Sequence, residues 1–206
     1  MRLLAKCVAG CFILGALALV IGGNVDAQDK GKKKAELKVK VGDPAPSFES
    51  VDETGKPFKS SDVVGKKIVV LYFYPADFTG GCTKQACGFR DDIEKLGSKG
   101  VEVIGVSGDS VANHKLFKDD YKLPFTLLAD EKGEVAKTFG VPMNKGGTAT
   151  GDKASGEKIK VTQGVRISRF TIVIDKAGKV AAIDAIFDAK GDAKRVAELV
   201  KKLDTK

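Results

Sequence analysis

Ile68 to Tyr74 reads IVVLYFY, seven apolar or aromatic residues without a break, and Pro75 follows. Such a run has no face to give to water, so it belongs in a central strand covered on both sides. Proline cannot donate to a sheet ladder and ends it. A sheet built around such a strand needs helices on both faces. The neighbouring segments supply them. A loop, 76–81, leads into a helix from about Cys82 to Leu96. Val101 to Ser107 is the next strand, and Gly108-Asp109-Ser110 opens a helix to about Tyr121. Phe125 to Leu128 is a short strand and Glu134 to Phe139 a short helix.

Turn chemistry at Gly42-Asp43-Pro44-Ala45-Pro46 and at Asp52-Glu53-Thr54-Gly55 brackets Phe48–Val51 and Lys56–Lys59, which predicts a short N-terminal hairpin. Residues 143–164 are rich in Gly, Thr and Lys with little apolar periodicity, and are read as a long loop or excursion. Phe170 to Ile174, the turn Asp175–Lys179, and Val180 to Phe187 form a second hairpin. Asp192 to Leu203 closes the chain as a helix with Val196, Leu199, Val200 and Leu203 on one face. Hairpin, β-α-β-α-β, hairpin and last helix together give a three-layer α/β/α domain with a mixed central sheet. The order suits a thioredoxin-like fold with an N-terminal β-hairpin extension over residues 41–206.

The N-terminus reads as a secretory signal over residues 1–27. Arg2 and Lys6 supply the positive region, Val8 to Ile21 the apolar run, and Val25-Asp26-Ala27 a cleavage site. The run is short for a membrane span, which wants ~20 residues. The expectation is therefore an exported protein, periplasmic or otherwise extracytoplasmic, with no stable membrane insertion after cleavage; an uncleaved anchor is the alternative. Residues 28–40 form a basic linker. Within it, from residue 30 to 40, Lys30, Lys32, Lys33, Lys34, Lys38 and Lys40 against Glu36 hold net +5 of the chain's +8. The basic balance thus describes a tail and not a nucleic-acid-binding face, and no nucleic acid is expected as a partner.

Removing the signal takes Cys7 and Cys11 with it and leaves Cys82 and Cys87; His114 is the chain's one histidine. Two cysteines and one histidine cannot fill a structural zinc site. A Ser-His-Asp or Cys-His system would have to use His114. No phosphate-cradling GxxxxGK[ST] and no GxGxxG at a strand-to-helix turn is present. No cofactor and no metal is expected.

Cys82 falls where a buried strand passes through a loop into a helix. Unpaired N–H groups and the dipole at a helix N-terminus favour a thiolate, and the thiolate is the nucleophile. Attack on a hydroperoxide expels one oxygen as an anion. That needs a thiol that ionises readily and donors aimed at both oxygens. Thr79, three residues before Cys82, can supply a hydroxyl. An arginine suits the cation, because it stays charged and donates several hydrogen bonds.

Pro75, Thr79 and Cys82 fill the pattern Pro-x-x-x-Thr-x-x-Cys, which resembles the signature of the peroxiredoxins. The surrounding FYPADFTGGCTKQACGFRDD is similar to their bacterioferritin-comigratory, or PrxQ, subfamily. So are Gly105–Ser107 with Asp109-Ser110, Leu123–Asp130, and Arg169 ahead of Ile174-Asp175. The likeness covers nearly all of 41–203. It implies reduction of hydrogen peroxide and organic hydroperoxides, with Cys82 the peroxidatic cysteine, Thr79 a donor to peroxide and thiolate, Arg169 the adjacent cation and Pro75 a shield. It implies Cys87 as the resolving cysteine, a thioredoxin-like reductant, and a monomer. Gly80 departs from the usual proline, 143–164 is longer than usual, and Pro142 replaces a common aromatic residue. Arg166 competes with Arg169 for the cation's place. Arg90 either frames the site or makes a solvated helix pair. His114 is expected to be structural.

Five residues of helix separate the two sulfurs, a rise of about 7.5 Å and a rotation of about 140°. Their Cα atoms would lie roughly 8–9 Å apart, past the ~7 Å a disulfide tolerates. Disulfide formation then requires the first helical turn to melt. Two alternatives stay open on the residues alone: an exported thioredoxin-like disulfide oxidoreductase, whose cysteines would normally be spaced Cys-x-x-Cys, and a binding module without turnover.

Overall fold

The structure, a computed structural model, describes residues 37–92, 100–186 and 188–204. The expected signal at 1–27, most of the basic linker, and the end of the helix beyond Asp92 lie outside the described residues.

Seven strands form one mixed sheet. In chain order they are β1 (Glu49–Asp52), β2 (Pro57–Lys59), β3 (Ile68–Phe73), β4 (Val101–Ser107), β5 (Thr126–Ala129), β8 (Phe170–Ile174) and β9 (Val180–Ala185), arranged as β2-β1-β5-β4-β3-β8-β9. β3, β4 and β5 run parallel, while β8 is antiparallel to β3 and β1 to β5. The apolar run is central, as its composition requires: every residue of β3 is buried. Its alternate side chains split between two cores. Ile68, Val70, Tyr72 and Tyr74 face α1 (Gly80–Asp92), α2 (Val111–Tyr121) and α4 (Asp192–Asp204); Val69, Leu71 and Phe73 face α3 (Glu134–Phe139) and the N-terminal segment. The period-2 pleat converts a uniform sequence into a wall shared by two layers.

Local signals fix the helix ends. Ser110 caps α2 by accepting the Asn113 N–H, and Lys122 ends it in the left-handed region at φ 55°. The Asp130 carboxylate accepts the N–H groups of Val135 and Ala136 at 3.1 and 2.9 Å, capping α3 from the end of β5.

Two expectations are corrected. Residues 143–164 are not a loop. They belong to an antiparallel hairpin, β6 (Met143–Asp152) with β7 (Lys158–Ile167), turned by a five-residue loop with Gly156 at φ 86°. Ile159, Val161, Val165 and Ile167 do alternate, but Gln163 interrupts them, and the facing strand has little apolar content with which to confirm the period. The basic linker also does not extend to residue 40. Val39 is buried in the second core and the Lys38 N–H donates to the Phe139 carbonyl at 3.0 Å, so the fold already holds the chain there.

The hairpin lies across the end of the sheet where β3 gives way to α1. The Asp152 N–H donates to the Phe78 carbonyl at 3.1 Å, Tyr121 Oη donates to the Asp152 carbonyl at 2.6 Å, and the Gly164 N–H donates to the Gly108 carbonyl at 2.9 Å. Gly151 makes this approach possible. A Cβ there would stand 2.3 Å from the Phe78 carbonyl oxygen.

Candidate active site

β3 ends with the bond from the Tyr74 N–H to the Val106 carbonyl at 3.1 Å, and half-buried Pro75 follows. The chain then turns tightly. The Thr79 N–H donates to the Asp77 carbonyl at 2.8 Å, and Phe78 between them adopts φ 61°. The Thr79 carbonyl accepts the Thr83 N–H at 2.8 Å and so leads into α1. α1 begins at Gly80, two residues earlier than expected, which puts Cys82 inside the first turn among N–H groups lacking intrahelical acceptors.

Cys82 is 2% exposed and its thiol is free. Arg169, immediately before β8, reaches it: Nη2 donates to Cys82 Sγ at 3.0 Å. Nη1 of the same guanidinium donates to Gln85 Oε1 one turn further along α1. The Gln85 amide in turn donates to Asp192 Oδ2 at 2.7 Å, an oxygen that also accepts from Thr171 Oγ1 at 2.6 Å. Arg195 closes the chain on Asp192 Oδ1 at 2.7 Å. A guanidinium fork fixed at one branch can aim the other at the sulfur without spending rotamer freedom each turnover. Of the two arginines, Arg169 is the one whose guanidinium contacts Cys82. Arg166, its competitor, instead donates to Gln163 Oε1 at 3.5 Å.

Thr79 commits its hydroxyl hydrogen to the Ala76 carbonyl at 2.9 Å, leaving its oxygen lone pairs as acceptors. The expectation that Thr79 donates to peroxide and thiolate is corrected to this extent: with its hydrogen on Ala76, the hydroxyl can only accept a hydrogen bond. Cys87 is half-buried and free, on the second turn of α1. Burial pushes its thiol pKa up, the Arg90 charge pulls it back in part, and Asp91 adds to the rise. Arg90 itself pairs with Asp91 at 2.8 Å and donates to the Tyr121 carbonyl at 2.7 Å, bracing α1 against the end of α2. Among the described residues no cluster of His, Cys, Asp and Glu is placed to hold a metal ion.

Sequence reasoning missed three partners. Gln85 and Asp192 carried no signal, being common polar residues separated by 107 positions. Asp77 lies inside the motif and His114 is the sole histidine, yet nothing in their spacing of 37 residues pairs them; in the structure they meet, fully buried, at 2.9 Å. Tyr72, buried between Phe89, Phe125 and Tyr74, has a hydroxyl with no hydrogen-bond partner among the described residues.

A model of the AhpC/TSA family matches residues 41–183. The chloroplastic peroxiredoxin Q of Oryza sativa subsp. japonica is 48% identical over 146 residues, 71% of this chain and 59% of the rice protein. That of Sedum lineare is 47% identical over 152 residues, 74% of this chain and 72% of the relative. The crystal structure of peroxidoxin BcpB from Mycobacterium tuberculosis superposes with a TM-score of 0.65 at 31% identity, covering 80% of this chain and 98% of that one. The chain belongs to the AhpC/TSA family of peroxiredoxins, in its peroxiredoxin Q or bacterioferritin-comigratory branch. Its thioredoxin-like fold is shared with a Xanthomonas campestris peroxiredoxin Q at a TM-score of 0.60. The chain spans about three-fifths of the rice relative's length.

Proposed function

We propose that the chain is a thiol peroxidase that reduces hydrogen peroxide and organic hydroperoxides. The observation that carries this is the Arg169 guanidinium 3.0 Å from Cys82 Sγ at a helix N-terminus. The Cys82 thiolate attacks one peroxide oxygen, the O–O bond breaks, and the other oxygen leaves as water or an alcohol after taking a proton. Cys82 becomes a sulfenic acid. Arg169 and the free N–H groups of the first turn suit the charge that passes from sulfur to the departing oxygen. Thr79 suits the peroxide's own hydrogen.

Cys87 then attacks the sulfenic sulfur, water leaves, and a disulfide forms. Both thiols sit in one continuous helix, so this step requires α1 to unwind at its start. A dithiol reductant of the thioredoxin type returns both cysteines to thiols and is itself oxidised. The working unit in this reading is a monomer. Export is proposed on residues 1–27 alone, and cell fractionation tests it.

The experiment is peroxide consumption by the reduced full chain. Activity that vanishes in Cys82→Ser, with a Cys82–Cys87 link found by mass spectrometry of the oxidised wild type, is expected. Peroxide consumption that persists in Cys82→Ser overturns the proposal. Insulin reduction without peroxide consumption would point instead to a disulfide oxidoreductase.

A further inference from the structure

Phe78 is a buried aromatic residue in the left-handed region, a conformation that persists only when its surroundings impose it. Asp77, immediately before it, is where they do so. The Asp77 N–H donates to Asp109 Oδ2 at 3.0 Å and its carbonyl takes the Thr79 N–H. Its side chain, 0% exposed, accepts from Tyr74 Oη at 2.8 Å on Oδ1 and meets His114 Nδ1 at 2.9 Å on Oδ2. The other ring nitrogen, His114 Nε2, lies 3.1 Å from the Leu128 carbonyl of β5.

A carbonyl can only accept, so Nε2 carries a hydrogen; a carboxylate can only accept, so Nδ1 carries one too. Two acceptors on opposite edges of one ring call for an imidazolium. Four elements present polar groups here. The residue after β3 brings the Tyr74 hydroxyl, also 3.4 Å from His114 Nδ1, and β5 the Leu128 carbonyl. The turn before α2 brings Asp109, which is itself held by Ser107, Asn113 and Gln163. The Asp77 turn supplies the facing carboxylate. Burial alone would push the His114 pKa down, but the Asp77 charge and hydrogen bond, with Asp109 and the Leu128 carbonyl, outweigh it, and the net direction is up.

We propose that Asp77 and His114 are positioning residues of the peroxidase site, a buried carboxylate–imidazolium pair through which α2 clamps the Asp77–Thr79 turn and so fixes Thr79 and the first turn of α1 for an incoming peroxide. Neither touches Cys82; they act through the backbone between Asp77 and α1. The inference rests on the thiol-peroxidase reading above. An ion pair is suited to this task because removing one member leaves the other charged and unpaired in the interior. The turn is therefore held in one geometry or released altogether.

The test compares two reactions of Cys82 in the reduced full chain. Iodoacetamide needs only a thiolate, whereas peroxide needs the whole pocket. In Asp77→Asn and in His114→Gln the second-order rate constant for hydrogen peroxide should fall about tenfold or more, while the alkylation rate stays within about twofold. The double variant should lose no more than the worse single one, because the pair acts as a unit. Wild-type peroxide rates in both single variants overturn the proposal. So do peroxide and alkylation rates that fall together, or losses that add in the double variant. Since His114 is the sole histidine, nitrogen-15 labelling of histidine reads this one ring in the wild type without recourse to any variant. Both nitrogens protonated at neutral pH are expected, and a neutral ring overturns the proposal. A wild type that consumes no peroxide sinks the underlying peroxidase reading whatever the ring's charge.

Discussion

Replacing Arg169 by methionine keeps the stem's bulk and removes the charge and the fork. The lost contact is a 3.0 Å hydrogen bond from a guanidinium to the reacting sulfur. Hydrogen bonds to charged groups contribute about 1.5–3 kcal/mol. If all of that is expressed in reaching the transition state, the second-order rate constant for peroxide falls about 10- to 150-fold. The fold should survive: the Gln85 amide keeps Asp192 at 2.7 Å, so only its carbonyl oxygen loses a partner, a cost of about 1 kcal/mol. Alkylation by iodoacetamide at neutral pH should slow as well, because the thiolate itself loses its counter-charge; this separates the variant from those at Asp77 and His114. Arg169→Lys should fall between, since one ammonium on a flexible stem cannot hold Gln85 and aim at the sulfur together. Stopped-flow kinetics of the reduced protein against hydrogen peroxide, with circular dichroism as the folding control, decides the matter. A rate within about threefold of wild type, or an equal loss in Arg166→Met, would refute the reasoning.

Burial and the charge of Asp77 raise the Asp109 pKa from 3.8 to about 6. The folded state therefore keeps a proton that the unfolded state has already lost, and stability falls as pH rises from about 4 to 6, by up to about 3 kcal/mol. His114 works in the same direction higher up: its raised pKa contributes stability that is full below about 6.5 and is lost as pH climbs through the folded value. Urea midpoints against pH should slope downward through both windows, and Asp109→Asn should flatten the lower one while only weakening the upper, where Asp77 is the larger cause. Gly151→Ala places a Cβ 2.3 Å from the Phe78 carbonyl oxygen, so the hairpin must back away and the Asp152–Phe78 bond is lost. A stability loss of about 1–3 kcal/mol with slower peroxide reduction is expected, and an unchanged urea midpoint would count against the contact. At exposed Gly80 a Cβ meets nothing within 4 Å, so Gly80→Pro, at the first position of α1, should raise stability by about 0.4–1 kcal/mol in the same assay.

The elements that organise the sheet were legible because their periods are strong. IVVLYFY could only be central, and Asp175–Lys179 could only turn. Ser110 announced α2, although the cap accounts for where the helix starts and not for what it packs on. Cys82, Thr79 and Pro75 stood out as a local constellation, and Arg169 through resemblance to a family, since no spacing rule links residues 87 positions apart; of these the structure brings Arg169 onto Cys82. The hairpin 143–167 escaped because one of its strands is mostly Gly, Thr and Lys, so its pairing is set by backbone approach at Gly151 and Gly164 and not by an apolar stripe. His114 was read as structural, correctly placed in a helix after its cap. What could not be read was the partner, because a buried pair is specified by three-dimensional packing and leaves no periodic trace.

The cation beside Cys82 comes from the residue just before β8, and the carboxylate steadying its neighbour Gln85 comes from the start of α4. A growing chain therefore exposes its sulfur long before either support has been made. Until the C-terminal third docks, Cys82 has neither the Arg169 guanidinium nor the Gln85–Asp192 support beside it. The pocket is completed last, with the closing strand and helix, so an unfinished or clipped molecule holds its cysteine without the surroundings of the finished site.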